Sequence, residues 1–572
     1  MENAQVADMF DEIADLLDLQ GEDAFRIRSY RNAARTLRNL SQRLEDMAAE
    51  GKDFADLPNI GKSTAAKVAE MLATGTCERL EALRAAVPSD LPVLMRLPGI
   101  GPRKAMQLHR QLGITAVEDL EAACREGRVR TLAGMGAKTE QKILEGLAML
   151  GKSAGRILYT AAAGYAAALR RHLDRIGAIS QWEIAGSFRR HSETVGDLDI
   201  LVQARDRAKA AAAIIAFDEV DRVLARGPER VAVTLQGGLQ VDFRFFNAEA
   251  FGAALMYFTG SKAHNIALRR RAIERGCKLN EYGLFEGDRA VAGATEEDVY
   301  KRLHLAWVPP ELREDRGEIE AAAAGTLPKL IEPADVRGDL QSHTTATDGL
   351  HTVEEMAHAA ADMGYQYLAI TDHSKAIAMS HGLDEDALRR HAEHIRGVDA
   401  TFKNLWVMAG VEVDILKDGQ LDLDEKVLGE MDWVIAAVHS HFNLDEKAMT
   451  QRLLAAINSG VVHAIAHPLG RIIGRREPVA FDADKIFDAC SRRGVRLEIN
   501  AQPDRLDLPD THCRRAREAG VGFTLGTDAH KIEDLHHMPQ GVYVARRGWL
   551  SRADVLNTRT AAQLRKELKR KG

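Results

Sequence analysis

Three aspartates and a family of histidine-bearing strings carry the chemistry legible in this sequence. In GDLDIL, Asp197 and Asp199 stand two residues apart, so on a strand they share one face while Leu198 and Ile200 enter the core. Asp242 sits likewise in VDFRF, between Val241 and Phe243. Three carboxylates offered from adjacent strands repel one another unless cations hold them, and two Mg²⁺ ions roughly 3.5–4 Å apart would suit nucleotidyl transfer. Separate, solvated strand carboxylates are the plainer alternative, because an Asp-x-Asp pair is short and common.

A second constellation runs between Asp339 and His530 as DLQSHTTATDG, LAITDHS, AGVEVDIL, AAVHSH, AIAHPLGR and LGTDAH. Imidazole and carboxylate together suit Zn²⁺, Mn²⁺ or Fe²⁺, and a site of up to three such ions needs about nine ligands. The chain has 20 histidines, and nearly every one in these strings ends an apolar strand, which ordinary surface histidines do not.

A third pattern repeats near the N-terminus. LPNIGKSTAAKVAEML from Leu57, LPGIGPRKAMQL from Leu97 and LAGMGAKTEQKIL from Leu132 each put a glycine turn before a basic helix start. Backbone N–H groups at such a turn can meet a phosphodiester, and glycine permits both close approach and φ > 0. One copy would more often be a plain turn. Three copies favour backbone binding through Gly61, Lys62, Gly99, Gly101, Arg103, Lys104, Gly134 and Gly136.

The elements that must position these groups follow from periodicity. Apolar residues at i, i+3 and i+4 make the first 150 residues helical; from Trp182 short strands appear, with a hairpin turn at Gln236-Gly237-Gly238. An Arg-rich stretch with Arg269, Arg270, Arg271, Arg275 and Lys278 reads as one helix. VPPELREDRGEIEAAAAGTLPKLIEP shows charge and alanine without a buried face and reads as a connector, placing the main boundary near residue 325. Beyond it, apolar strands alternate with helices, as in a parallel α/β barrel whose chemistry lies at strand ends.

With 572 residues several domains are needed, and 45% hydrophobic with 28% charged residues is ordinary globular usage. No run approaches the ~20 apolar residues of a membrane span, and the acidic N-terminus is no signal peptide, so a cytoplasmic protein is expected. The five cysteines are scattered, with no CxxC pair, which suggests neither a disulfide framework nor a thiolate zinc site. A net charge of −7 by itself discourages a nucleic-acid partner.

GSFRR from Gly186, GDLDIL, VDFRF, YFTGSKAHN from Tyr257 and LNEYGLF from Leu279 occur in an order that resembles the family X DNA polymerases, over residues 1–320 together with the glycine turns, which resemble helix-hairpin-helix motifs. The resemblance implies that Asp197, Asp199 and Asp242 hold two Mg²⁺ or Mn²⁺ ions, with Asp242 helping to activate the primer 3′-hydroxyl. It implies Ser187, Arg190 and Arg156 on the triphosphate, Gly186 for close approach, Tyr257, Phe258 and Gly260 at the sugar, and Asn265 with Arg269 at base or template. Lys67 matches a Schiff-base nucleophile for excising 5′-deoxyribose phosphate, or is a solvated helix lysine; as a nucleophile it would need its pKa lowered by burial or by nearby cations such as Lys62 and Arg31. Phe25, Arg28, Tyr30 and Arg31 are either a template-strand surface or amphipathic packing. The sequence departs from the family at His191, where a glycine is common, and at Gln240, where some relatives carry arginine.

The histidine strings resemble a PHP (polymerase and histidinol phosphatase) domain over about residues 335–572. Ligands map onto His343, Asp348, His373, Glu412, His439, His467, Asp528 and His530, while Gln341 replaces the first histidine of an HxH pair and His441 and Asp414 fall outside direct ligation. Up to three Zn²⁺, Mn²⁺ or Fe²⁺ ions are implied. Arg471 and Lys375 either hold substrate phosphate or form salt bridges.

The expected architecture is multidomain, α then α+β then α/β: a helical DNA-binding and lyase-like domain (1–90), a helix-hairpin-helix subdomain (91–150), a nucleotidyltransferase palm with a mixed sheet (151–245), a nucleotide-selecting subdomain (246–320), a linker (321–335) and a distorted (β/α) PHP barrel (336–572). The implied function is gap filling from dNTPs in base-excision repair by a monomer acting on gapped or nicked DNA, without a membrane. Metal-dependent 3′–5′ exonuclease, abasic endonuclease or 3′-phosphatase activity is implied beside it. The alternative is a PHP nuclease or phosphatase with a non-polymerising DNA-binding module.

Overall fold

The computed structural model describes residues 3–20, 22–38, 40, 44–49, 51–58, 60–86, 94, 100–115, 117–153, 155–376 and 381–568. It forms two compact units, Met1–Ala154 and Gly155–Gly572.

All regular elements described in the first unit are helical. Asn3–Gln20 supplies Val6, Phe10, Ile13 and Leu17 to its core at the helical spacing read from the sequence. The turn helices are Lys62–Thr74, Pro102–Leu112 and Ala137–Ser153. Glycine's role in the turns needs correction. Gly61 and Gly101 cap their helices in extended backbone (φ −85° and −93°), and only Gly134 is left-handed at φ +75°. A Cβ at Gly61, Gly101, Gly134 or Gly136 would meet nothing within 4 Å, so the fold itself leaves these surfaces open to approach. Gly99 lies outside the described residues, as does the Arg103 side chain.

The second unit contains a five-stranded mixed sheet in the order Ile179–Ile184, Asp197–Ala204, Gln240–Phe245, Arg230–Leu235, Val220–Arg226. Asp197–Ala204 runs parallel to Gln240–Phe245, and the other pairings are antiparallel. Leu198, Ile200, Val241 and Phe243 fill the core, as period-2 alternation requires. The expected hairpin turn forms with Gly237 and Gly238 at φ +91° and +87°. Helices Ala248–Thr259 and Lys262–Glu274 follow, then a three-stranded antiparallel sheet of Lys278–Asn280, Gly283–Glu286 and Arg289–Ala292. The arginine stretch is therefore not one helix: Arg275 caps it, and Lys278 opens a strand.

Residues 321–335 do not form a free linker, and the boundary expected near 325 lies within the second unit. Ala322, Leu330 and Ile331 are buried, as are Glu311, Arg313 and Glu318 just before them. These charges are paired inside: Arg313 donates to both oxygens of Glu296 at 2.6 and 3.0 Å, and Glu318 accepts from His264 at 2.5 Å. Further ion pairs tie this region to the C-terminal part, Arg546–Glu311 at 2.8 Å and Arg316–Asp510 at 2.9 Å among them.

The C-terminal part is a seven-stranded, all-parallel sheet in sequence order: Gly338–Asp339, Tyr367–Ile370, Trp406–Asp414, Trp433–Ala437, Ala464–Ile465, Arg496–Asn500 and Phe523–Gly526. A parallel bridge between Ser342 and Ala529 joins first strand to last, giving the expected distorted barrel. Both strand faces are buried. Leu368, Ile370, Val407 and Val411 pack outward with the helices, while Tyr367, Ala369, Trp406, Met408 and Ile435 belong to a separate inner cluster. That same inward parity continues past Met408 and Gly410 to Glu412, and past Ile435 and Ala437 to His439. Polar ligands therefore lie at the C-terminal ends, above an apolar floor.

Candidate active sites

In the five-stranded sheet Asp199 and Asp242 are register partners on adjacent parallel strands, and Asp197 is two residues along the same face. Burial pushes the Asp199 carboxyl up to about 7, reinforced by the Asp197 and Asp242 charges. Asp197 is raised for the same reasons, against the pull of Arg156 and Arg244. The neutral form is favoured because three carboxylates converge, and a divalent cation would reverse this. Asp242 accepts from Arg230 at 2.5 Å and from Gln240 at 2.7 Å. Arg230 thus brings to the third aspartate the cation that Gln240 lacks. It comes from the neighbouring antiparallel strand, a pairing the sequence does not announce.

Gly186 has φ +65°, and a Cβ there would stand 2.9 Å from Asp199 Oδ2, so glycine is needed on both counts. Ser187 occupies the short helix Gly186–Arg189 beside it. Arg156 donates to Thr194 Oγ1 at 2.9 Å and lies close to Gly196, one residue from Asp197. Arg190 is engaged by Glu314 at 2.9 Å and by the Thr259 carbonyl at 2.8 Å. Tyr257 stacks under Arg269 and Phe258 under Arg244, at 5.1 and 4.7 Å. Asn265 donates to the Tyr257 carbonyl at 2.7 Å, and a Cβ on Gly260 would fall 2.7 Å from its Oδ1, so these three fix the turn between two helices.

Lys67 donates to the Ser63 carbonyl and hydroxyl at 3.0 and 2.9 Å and lies 5.9 Å from the Tyr30 ring. It lines a groove of about 490 Å³ with Arg26, Ser29 and Arg79. Arg31, expected to press on it, pairs instead with Asp15 at 2.7 Å. Tyr30 is core, stacked on Phe10 at 5.9 Å, whereas Phe25 is 75% exposed, which removes the packing explanation for it.

At the barrel mouth the mapped ligands converge. His343, Asp348, His373 and His530 form one metal-sized group, His373, Glu412 and His439 a second, and His343, Glu412 and Asp528 a third, with ligand atoms within 4.8 Å in each. Glu412 links them. Its Oε2 faces His343 and His373 at 3.4 and 3.2 Å, and its Oε1 faces His439 and His467 at 3.4 and 3.0 Å. Among the described residues no hydrogen bond reaches either ring nitrogen of His343, Nδ1 of His373 or Oε2 of Glu412. Buried polar atoms without partners are costly, so this donor set fits divalent ions.

Burial opposes charge on His439 and His530, yet Glu412 and Asp414 hold the first up to about 9, and Asp348 and Asp528 the second up to about 10. Burial and the neighbouring His343 bring His373 down to about 4. Asp414 accepts from His439 Nδ1 at 3.2 Å and so aims Nε2 at Glu412; His441 is exposed. Gln341 offers an amide in place of an imidazole. It is fully buried, with neither amide atom hydrogen-bonded among the described residues. Lys375 pairs with Glu385 at 2.7 Å and Arg471 with Glu193, so both make salt bridges.

Two buried carboxylates here escaped the sequence reading. Asp372 accepts from Thr344 N, Thr344 Oγ1, Thr347 Oγ1 and His391 Nε2 at 2.9, 2.6, 2.5 and 2.8 Å, pinning the loop that delivers Asp348. Its place directly before His373 was the available signal. Glu498 accepts from His467 N at 2.8 Å, and burial with the Asp528 charge raises its carboxyl well above the usual range.

Family models match in four places: "Helix-hairpin-helix domain" at residues 1–77, "SAM-like Helix-hairpin-helix tandem" at 91–149, "DNA polymerase beta thumb" at 254–314 and "PHP domain" at 339–502. The DNA polymerase/3′-5′ exonuclease PolX of Bacillus subtilis (strain 168) is 38% identical over 574 residues, covering 100% of both chains. A probable phosphatase of Photobacterium profundum is 30% identical over 34% of this chain and 79% of its own length. The probable phosphatase YcdX of Escherichia coli is 30% identical over 34% of this chain and 78% of its own.

Proposed function

Because the chain belongs to the family X DNA polymerases that carry a PHP domain, we propose that it extends a primer 3′ end at the aspartate site and hydrolyses 3′-terminal phosphodiesters at the barrel mouth. The observation that carries this is the presence, in one compact unit, of two separate sites of metal-suited character: Asp197, Asp199 and Asp242 in register, and three ligand groups sharing His343, His373 and Glu412. A lone phosphatase would have no use for the first.

Divalent ions bound at the aspartates supply charge neutralisation and a lowered pKa for the attacking oxygen. The chain's own residues do the rest. Asp197, Asp199 and Asp242 fix the ions, with Mg²⁺ or Mn²⁺ matching the oxygen ligands. Gly186 and Ser187 give the triphosphate a close backbone approach beside Asp199. Arg156 and Arg244 supply positive charge on the same face. Arg230 holds the Asp242 carboxylate on the same face.

At the barrel, mixed imidazole and carboxylate suit Zn²⁺, Mn²⁺ or Fe²⁺. Glu412, with imidazoles facing both of its oxygens, would contribute to holding such ions, while Asp414 orients His439 and Asp372 pins the loop that delivers Asp348. An amide oxygen at Gln341 is a poorer transition-metal ligand than imidazole, so one ion of the set would be held more weakly. The open glycine turns at Gly61, Gly101 and Gly136 favour contact with DNA backbone without sequence readout. Gapped or nicked duplex in base-excision repair is the substrate we infer, with Lys67 the candidate lyase nucleophile; functional divisions fall at residues 90, 150, 245 and 320.

The test uses one gapped duplex with Mg²⁺ or Mn²⁺, with and without dNTPs, on wild type, Asp242→Ala and His373→Ala. Extension should vanish in Asp242→Ala while trimming persists, and His373→Ala should show the converse. Extension surviving in Asp242→Ala would end the polymerase assignment.

A further inference from the structure

The loop from Gly186 to Glu193 begins against Asp199 and ends at the short strand Thr194–Val195, which leads through Gly196 to Asp197. Its first half is held by its own sheet: Phe188 stacks on Tyr159 at 4.8 Å, and Ala185 N donates to the Asp199 carbonyl at 2.7 Å. Its second half is held by the barrel. Tyr543, on helix Met538–Arg547, lies flat on His191 with ring centroids 3.6 Å apart and planes 10° from parallel. Arg547 donates to the Arg190 carbonyl at 2.9 Å and to Glu314 at 3.1 Å, and Glu314 also receives Arg190. Arg471 grips the Glu193 carboxylate with both terminal nitrogens. Inside the loop, Ser192 N donates to the Ser187 carbonyl at 3.0 Å, linking the two halves.

His191 itself has φ +52°, the left-handed region that a side chain occupies at a cost. Glycine would relax that strain but remove the ring. The imidazole, between Tyr159 at 5.3 Å and Tyr543, is therefore held for its contact with the barrel.

We propose that Tyr543, Arg547 and Arg471 are positioning residues for nucleotide binding: the PHP barrel holds the Gly186–Glu193 loop in the shape that receives a dNTP. This rests on the polymerase reading above. The barrel is then a structural component of the polymerase site as well as the seat of a second activity.

Steady-state extension of gapped duplex by the full-length chain tests this in Tyr543→Ala, Tyr543→Phe, His191→Gly and the Tyr543→Ala/His191→Gly double variant. Losing a binding-only contribution raises KM without lowering kcat, so each single disruption should raise KM for dNTP about five- to ten-fold with kcat within about twofold. The double variant should show no further rise, because both substitutions break one contact. Tyr543→Phe should restore the wild-type KM, and 3′ trimming should be unchanged throughout. Unchanged KM in both single variants, or additive effects in the double, overturns the proposal. Should Tyr543→Ala also lose trimming through misfolding, His191→Gly decides alone. Extension surviving in Asp242→Ala is a different failure, that of the polymerase reading, and the proposal falls with it.

Discussion

Glu412 faces four imidazoles, and in the absence of metal the site balances its carboxylates with protons. His439 and His530, held up to about 9 and 10, carry those protons at neutral pH. Ligation requires neutral imidazole, so loading must expel them. Calorimetry at about pH 7.5 in buffers of different ionisation heat should find about two protons released per chain on loading, and release near zero would contradict the assignment. The sign for stability follows from the same shifts. Folded pKa values above the ordinary histidine value stabilise the metal-free fold fully below about pH 6.5, and this contribution disappears as pH rises through 9 to 10. Gly186 yields a second prediction at this scale. Gly186→Ala must adopt a left-handed backbone, costing about 1–2 kcal/mol, and must also displace Asp199, so extension should drop at least tenfold (about 1.4 kcal/mol) while trimming is retained.

The aspartate pair across two parallel strands sets a pH response at the scale of the sheet. Asp199 is lifted to about 7 from an ordinary 3.8, so between those values the folded chain binds more protons than the unfolded one. Stability therefore falls as pH rises from about 4 to 7 in EDTA. Asp199→Asn should remove that slope and stabilise the metal-free protein near neutrality, by at most about 4 kcal/mol; denaturant melts of the two proteins at several pH values measure it. Element types were legible here because period-2 and period-3.6 patterns record which face is buried, and the barrel was legible from strands that are apolar on both faces. The ligand strings were legible because each histidine ends such a strand. Partners that meet only through register were not. Arg230 reaches Asp242 from the next strand, and Thr344 and Thr347 reach Asp372 from another loop. The supposed linker was misread for a related reason. Charge suggests exposure, yet Arg313 and Glu296 are buried together, and the arginine holds Glu296 down to about 2 despite burial.

For the whole molecule, the net charge of −7 averages very different surfaces. Carboxylates crowd two cation-seeking sites, while Lys62, Lys138 and Arg270 lie on helices suited to phosphate. Local charge governs DNA binding, so log Kobs for gapped duplex should fall against log salt with a slope of about −4 or steeper; a flat response in a fluorescence-anisotropy titration would contradict the DNA assignment. Among the described residues no helix is long and apolar enough to cross a membrane. The bridge between Ser342 and Ala529 has a consequence in time. Thr527 hydrogen-bonds to Asp339 across 188 residues of chain, and the ligand groups of His343 are complete only when Asp528 and His530 arrive. A ribosome translating this message finishes the aspartate strands some three hundred codons before it completes the barrel. Any chain abandoned before residue 528 therefore lacks Asp528 and His530 and the bridge that closes the barrel, so 3′ trimming requires translation past that point.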